Sequence, residues 1–503
     1  MWFFRAAYML AVVLGSAMVH ANGVVIAAEK PFSEEALLEI AQELAAKPFS
    51  PRPRIPQPWL DLSYDEFNHI WFDHRNAIWM DEDRPVKMDL FTAGLYQERA
   101  IEINLLEDGL ARTLAYDLSL FDTTDQFPDL PVDETMGYSG FRLRAELSKQ
   151  DIFNEFFVFQ GASYFRGIAA GQDYGLSARG LALKTADPEG EEFPEFTRFW
   201  VKAAEPDEQH ITVYALLDSP STTGAYKFEI AHGTPTNVAV SASLFPRTTL
   251  THVGLGPLTS MFLFDETNRS RFDDFRPAVH DSEALMVWNG RGEVLWRPLA
   301  NPTRLQVSSF VDNNPKGFGL IQRNRRAEDY ADLEANYQNR PSLWITPDQP
   351  WGRGTVELVE IPADKEIYDN VVAYWRPRES LKAGDKYKFS YMMHWGDDPE
   401  NTPRLARVLN TRIGKGFDKV KNVVAIDFTD HPDLPEDLEE INLTLRSNTG
   451  EISKGILQRN PGTGGVRLAF SFLPGEAPAV EMRAQMHVAG KAVSEVWLYR
   501  WTQ

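Results

Sequence analysis

Cysteine is absent from the 503-residue chain, which removes disulfides, thiolate metal sites and cysteine nucleophiles together. In an oxidising exported compartment that lack is tolerable, because a chain this long can build its own core without cross-links. Positive charge is in deficit: 51 Lys and Arg face 72 Asp and Glu, a formal net charge of −21. Binding along a phosphate backbone needs a positive field, so nucleic acid is excluded as a partner and a neutral or cationic one is favoured. Long apolar runs are missing too, apart from Ala6 to Val19 behind Arg5. That run is too short for a stable membrane span and reads as an export signal, residues 1–28, cleaved after Ala21 or Ala28. The mature chain is therefore expected to be soluble.

What is present describes a globular protein with ample core: 43% hydrophobic, 12% aromatic and 24% charged residues. The 13 Trp and 16 Tyr supply flat amphipathic rings for packing or for stacking on sugars. Ser33 caps an amphipathic pattern at Ala36, Leu37, Ile40, Ala41 and Leu44, predicting a helix, and four prolines from Pro51 to Pro58 forbid its continuation. Ser63 and Glu66 form a capping box for a second short helix from Tyr64. His69 and His74 lack the one-turn spacing of two ligands on a helix face and read as structural.

From Val86 the period changes to two. Val86, Met88 and Leu90 alternate with other residues, as do Ile101, Ile103 and Leu105, then Ile211 to Leu217 and Val238 to Leu244. Half-buried antiparallel strands have this pattern, and no helical stretch intervenes as a parallel βαβ sheet requires. The fold class is all-β: a large N-terminal β-sandwich over 29–378, a linker at 379–386 and a smaller immunoglobulin-like sandwich over 387–503.

The stretch around which the chain reads as arranged runs from Phe272 to Leu320. Asp273, Asp274, His280, Asp281 and Glu283 precede an apolar run (Leu285 to Trp288), a glycine-containing turn (Asn289 to Gly292) and a second run (Val294 to Trp296). The Asn-Gly step suits the positive φ of a tight hairpin. Asp312, Asn313, Asn314 and Lys316 follow beside two glycines, a density of polar groups with which short loops on a β scaffold present a ligand site. A second acidic approach to a strand occurs at Glu366 and Asp369, ahead of Val371 to Trp375. The glycines around Tyr164, Arg166, Tyr174 and Arg179 lack a GK[ST] step and a strand-to-helix setting, so they form no phosphate loop.

Several segments, GASYFRGIAAGQDYGLSARGLAL, FPEFTRFWV, HDSEAL, DNNPKGFGL, NRPSLW and WGRGTVELVEIP among them, resemble the OpgG/OpgD (MdoG/MdoD) family of periplasmic glucan biosynthesis proteins. The resemblance covers nearly the whole mature chain. It implies a mutarotase- or lyase-like sandwich followed by an immunoglobulin-like domain, and inverting hydrolysis or transglycosylation of β-1,2-glucan in the periplasm. It further implies Asp369 as general acid, Asp281 as the base-side aspartate and Tyr337 as a tyrosine of the substrate groove. Tyr164, Arg166, Arg179, Arg340, Trp344 and Trp351 lie in matching segments, with types suited to glucose units, and His280 and Glu366 flank the acids; His280 is expected to brace rather than to move protons. No cofactor and no metal is implied, contact with an inner-membrane glucan synthase is left open, and the rival reading is a non-catalytic glucan-binding or assembly factor. One departure stands out. After Thr411 and Arg412 the resemblance calls for a long cover loop, whereas here only IGKGFDKVKN precedes the next strand.

Overall fold

The computed structural model describes residues 19–21, 24–206, 208 and 210–502; of the export-signal reading, residues 1–18, 22 and 23 lie outside them. The helix Glu34–Ala45 forms as expected, with the Ser33 hydroxyl accepting from the Ala36 amide, and Tyr64–Phe67 carries the capping box. Nearly all the other regular elements are strands.

The large unit packs two sheets face to face. The broader one runs, in space, from Leu110–Leu114 and Glu102–Glu107 through Glu195–Lys202, Ile211–Asp218, Thr222–Ala231 and Thr236–Pro246. It continues through Tyr387–Gly396, Ser342–Pro347, Gly317–Ile321 and Ala284–Trp288 to Val294–Pro298. The opposing sheet runs from Val86–Thr92 through Tyr138–Glu146, Phe153–Gln160, Tyr164–Gly167, Ser177–Arg179 and Val253–Ser260. Val371–Pro377, Arg353–Glu360 and Gln306–Asn313 complete it. The period-two residues meet between the sheets. Phe159 alone has ring centres of Phe141, Phe157, Phe165, Phe199 and Phe228 within 5.2–5.6 Å, and each such burial contributes on the order of 2 kcal/mol.

The expected linker at 379–386 is corrected by the pairing. Tyr387–Gly396 sits between Thr236–Pro246 and Ser342–Pro347 in the middle of the broader sheet, so 379–386 joins two strands of the large unit. The chain crosses to the small unit only after Gly396. Alternation marks a strand but not its partner, which is why the boundary was misplaced. The small unit pairs Val408–Lys415, Asn422–Phe428 and Val466–Leu473 in one sheet. Its other strands, Asn442–Ser447, Ala479–Val488 and Val496–Thr502, extend the broader sheet through a parallel pairing of Leu295 and Trp296 with Val496 and Trp497. The units share a core as well, in which Met286, Trp296 and Trp344 pack with Phe428, Phe470 and Trp497. Buried Arg323 reinforces the joint, binding Glu495 and Asp398 at 2.7 Å above the Trp296 ring.

The polar hairpin exists, Trp288 facing Val294, but its connection is longer than the tight turn predicted. Positive φ falls at Gly292 rather than at the Asn-Gly step.

Candidate active site

The two acids come from different sheets and are held by one short stretch. Asp281 follows the strand Val279–His280, and its amide donates to the Met261 carbonyl at 2.9 Å. Asp369 lies two residues ahead of Val371–Pro377. Its neighbour Asn370 accepts from the Phe262 amide at 2.8 Å and donates to the Phe262 carbonyl at 3.0 Å. Met261 and Phe262 thus fix both approaches, and nothing in the local sequence of either acid reveals it.

Asp281 is only 4% exposed. Burial pushes its carboxyl up to about 6, against the pull of Arg340, and the Asp369 charge adds to the rise. Arg340 donates to its Oδ1 while its guanidinium carbon sits 4.3 Å from the centre of the Tyr337 ring, a cation–π contact in a desolvated place. The ordinary ionised carboxylate in a polar turn that sequence predicts here is therefore a buried one, kept charged near neutrality by Arg340. Asp369 is more open, its side chain 30% exposed. Burial raises it too, opposed by the charges of Arg166, Arg179 and Arg340 and by the Ser177 hydroxyl. Arg166 approaches its Oδ2 at 3.6 Å.

Around Asp369 the outer face of the opposing sheet is polar in register. Tyr164 lies across from Arg179, and Ser177 across from Thr259. Arg179 is buried, binds Glu191 at 2.7 Å and lies over the Tyr164 ring. Its Nε and the buried Thr259 hydroxyl have no protein partner among the described residues, and unsatisfied polar groups of this kind are costly unless a ligand or water meets them.

Tyr337 is 2% exposed, packed between Tyr330 and Arg340. Its ring cannot serve as a platform, but its hydroxyl lies among charges: burial and the acids Glu366 and Asp281 push it up, against the pull of Arg340 and Arg276. Glu366 pairs with Arg276 at 2.8 Å, and Arg276 also binds Asp274 and Asp332, tying three loops beside the site. His280 is buried, stacked on Phe262 and donating from Nδ1 to Gln322; burial holds it down to about 4 and hence neutral.

Trp344 and Trp351, expected on the groove, are placed elsewhere. Trp344 is in the core shared by the two units, and Trp351 packs on Phe318, Trp375 and Tyr391 inside the sandwich. Their alternation with small residues suits a close-packed strand: a Cβ on Gly317 would come within 2.3 Å of Trp344. The exposed rings next in sequence to site residues are Tyr368, 49% exposed and adjoining Asp369, and Phe275, 77% exposed and adjoining Arg276. Sequence reasoning passed over both, although adjacency to Asp369 was a signal for Tyr368. Asp312 and Asn314 are also away from the acids, accepting from the amides of Gly290 and Gly352.

The segment after Arg412 forms a plain hairpin, Val408–Lys415 with Asn422–Phe428, and Arg412 binds Glu266 and Asp427 at its base. Among the described residues no helix is long and apolar enough to cross a membrane.

Fold and site define a two-unit β-sandwich protein with two burial-perturbed carboxyls, Asp281 and Asp369, that both answer to Arg340. The chain belongs to the MdoG family, periplasmic glucan biosynthesis protein, matched over residues 32–501. It is 46% identical over 475 residues to "Glucans biosynthesis protein G" of Vibrio cholerae, covering 94% of this chain and 87% of that one. To "Glucans biosynthesis protein G 1" of Shewanella oneidensis it is 45% identical, with the same coverage. Among solved structures, a heparan sulfate lyase HepC mutant from Pedobacter heparinus aligns at a TM-score of 0.26 and 9% identity, over 58% of this chain and 40% of that one, too distant to bear on chemistry.

Proposed function

We propose that the protein works in the periplasm, in osmoregulated glucan biosynthesis, as an enzyme that cleaves or transfers β-1,2-glucan by an inverting acid/base mechanism. The observation that supports this best is the pairing of Asp281 and Asp369, each carboxyl raised by burial and each answering to Arg340. Inverting cleavage needs one protonated carboxyl at the leaving oxygen and one ionised carboxylate for the incoming hydroxyl, roughly 6.5 to 9.5 Å apart. Asp369, open to the groove, is the proton donor. Asp281, buried and bonded to Arg340, is the ultimate proton acceptor. Its burial keeps it from the nucleophile itself, so the proton reaches it through a relay in which the Tyr337 hydroxyl takes part. The short hairpin after Arg412 leaves the groove without a long cover, and water is then less strictly ordered there; transfer to a sugar hydroxyl competes with hydrolysis.

Linear β-1,2-glucan incubated with the purified full chain, with chain length followed over time, tests the reading. Shortened or redistributed chains are expected. Saturable binding with no change in length across pH would refute it in favour of a glucan-binding assembly factor.

A further inference from the structure

A second cleft, of about 1190 Å³, lies where the free edge of the opposing sheet meets the strand Ala479–Val488. It is lined by the polar hairpin turn and by Asp312 and Asn313, which the acid pair does not use, and by Arg291, Arg353, Arg376, Arg378 and Arg483. We propose that this cleft binds an anion of the phosphate class.

The acids in the cleft are already committed. Glu293 is bonded to Arg483 at 2.6 Å and to Asn289 at 2.8 Å. Asp312 accepts from the Gly290 amide with both oxygens, and Glu357 accepts from the Ser309 and Thr355 hydroxyls at 2.6 Å. Apart from Arg483, the arginines are not. Among the described residues the side chains of Arg291, Arg353 and Arg378 have no hydrogen-bond or ion-pair partner, and Arg376 only donates to the Thr251 carbonyl at 3.3 Å.

The backbone forces the arginines together. Arg376 faces Thr355 in register, and the Arg378 amide donates to the Arg353 carbonyl at 2.9 Å. Arg291 is carried over the same edge because Gly290 has no side chain: a Cβ there would meet the Asn313 carbonyl at 2.1 Å. Converging guanidinium groups repel one another, and in a chain of net charge −21 there are acids enough to have paired them. A neutral sugar does not repay that arrangement. An anion with several equivalent oxygens does, since each guanidinium presents a planar fork of donors to it. The volume leaves room for an esterified phosphate with an attached group, from a soluble ester or from a lipid headgroup.

Calorimetric titration of the full chain at low ionic strength, with inorganic phosphate and with glycerol 3-phosphate, tests the site; sedimentation with phosphatidylglycerol and phosphatidylcholine vesicles forms the second arm. Saturable binding of soluble phosphate, or sedimentation with phosphatidylglycerol alone, is expected, and which arm responds names the source. The exposed pair R353Q/R378Q should weaken binding by roughly tenfold or more with glucan conversion unchanged. No binding in either arm, binding that the double variant retains, or malonate binding as tightly as phosphate would overturn the proposal.

Discussion

Arg340 donates to the carboxylate of Asp281, a residue 59 positions earlier in the chain. It is also the largest influence holding that buried carboxyl down, so Asp281 comes to rest at about 6 instead of higher. A base must be ionised, and glucan conversion should therefore fall on the acid side with a midpoint near 6. Removing the guanidinium in R340Q takes away the lowering influence and should move that limb upward by about one unit or more. A limb that stays in place would show that Asp281 does not set it. Because the two acids sense one another, the measured midpoints belong to the pair.

Asp369→Asn should lower conversion by about 100- to 10,000-fold, the usual worth of a general acid, with the melting temperature unchanged. Asp281→Asn leaves Arg340 without its partner, so stability must be measured beside rate. Tyr337→Phe keeps the buried ring and deletes only the hydroxyl. It should reduce turnover and spare folding; an unaltered rate would remove Tyr337 from the relay.

How much of this was legible in the sequence differs by element. Capping at Ser33 and Ser63 and alternation at Val86, Ile211 and Val238 depend on neighbours in sequence, and the structure follows them. The placement of Tyr387–Gly396 in the large unit depends on strands far away, and alternation carries no address. The acids could be picked out, through the family resemblance and through their positions ahead of strands. The Met261–Phe262 clamp that brings them together could not, since both its bonds span long intervals of chain. Trp344 and Trp351 misled because an aromatic in a polar-looking segment has the same appearance whether it faces a ligand or a core.

The stacking once expected of those tryptophans should reside in Tyr368 and Phe275, the exposed rings on loops tied by Arg276. Tyr368→Ala and Phe275→Ala should raise KM for glucan several-fold, with kcat and melting little changed, a stacked ring being worth about 1 kcal/mol. Trp351→Ala should instead destabilise the fold by about 3–5 kcal/mol. Equal KM in all three proteins would deny the loops a binding role.

The choice of cleavage site expected for the export signal would have a structural consequence. Val24 and Ile26 are buried, and Val24–Pro31 pairs with Leu110–Leu114 at the sheet edge. Cleavage after Ala28 would delete the buried half of that strand, so the exported protein should begin at Asn22. Intact-mass measurement of periplasmic material distinguishes the two sites, and a chain starting at Glu29 would overturn the choice.

His280 should make stability fall in acid. Its folded value is depressed to about 4 from 6.5 by burial, so between those values the unfolded chain binds a proton that the folded chain refuses, and stability rises with pH there. The contribution is complete above 6.5 and lost as pH falls to about 4, a span worth on the order of 3 kcal/mol. Asp281, raised to about 6, slopes the other way between 3.8 and 6, so the wild-type curve alone does not isolate the histidine. His280→Phe preserves packing between Phe262 and Tyr330 and strands the Gln322 oxygen, costing about 1–3 kcal/mol at pH 7. The informative quantity is the difference in denaturant stability between variant and wild type. Taken as wild type minus variant, it should fall steadily as pH is lowered from 6.5 to 4, to about zero or below, since the variant has no proton to refuse; a difference independent of pH would mean that His280 is not held neutral in the fold.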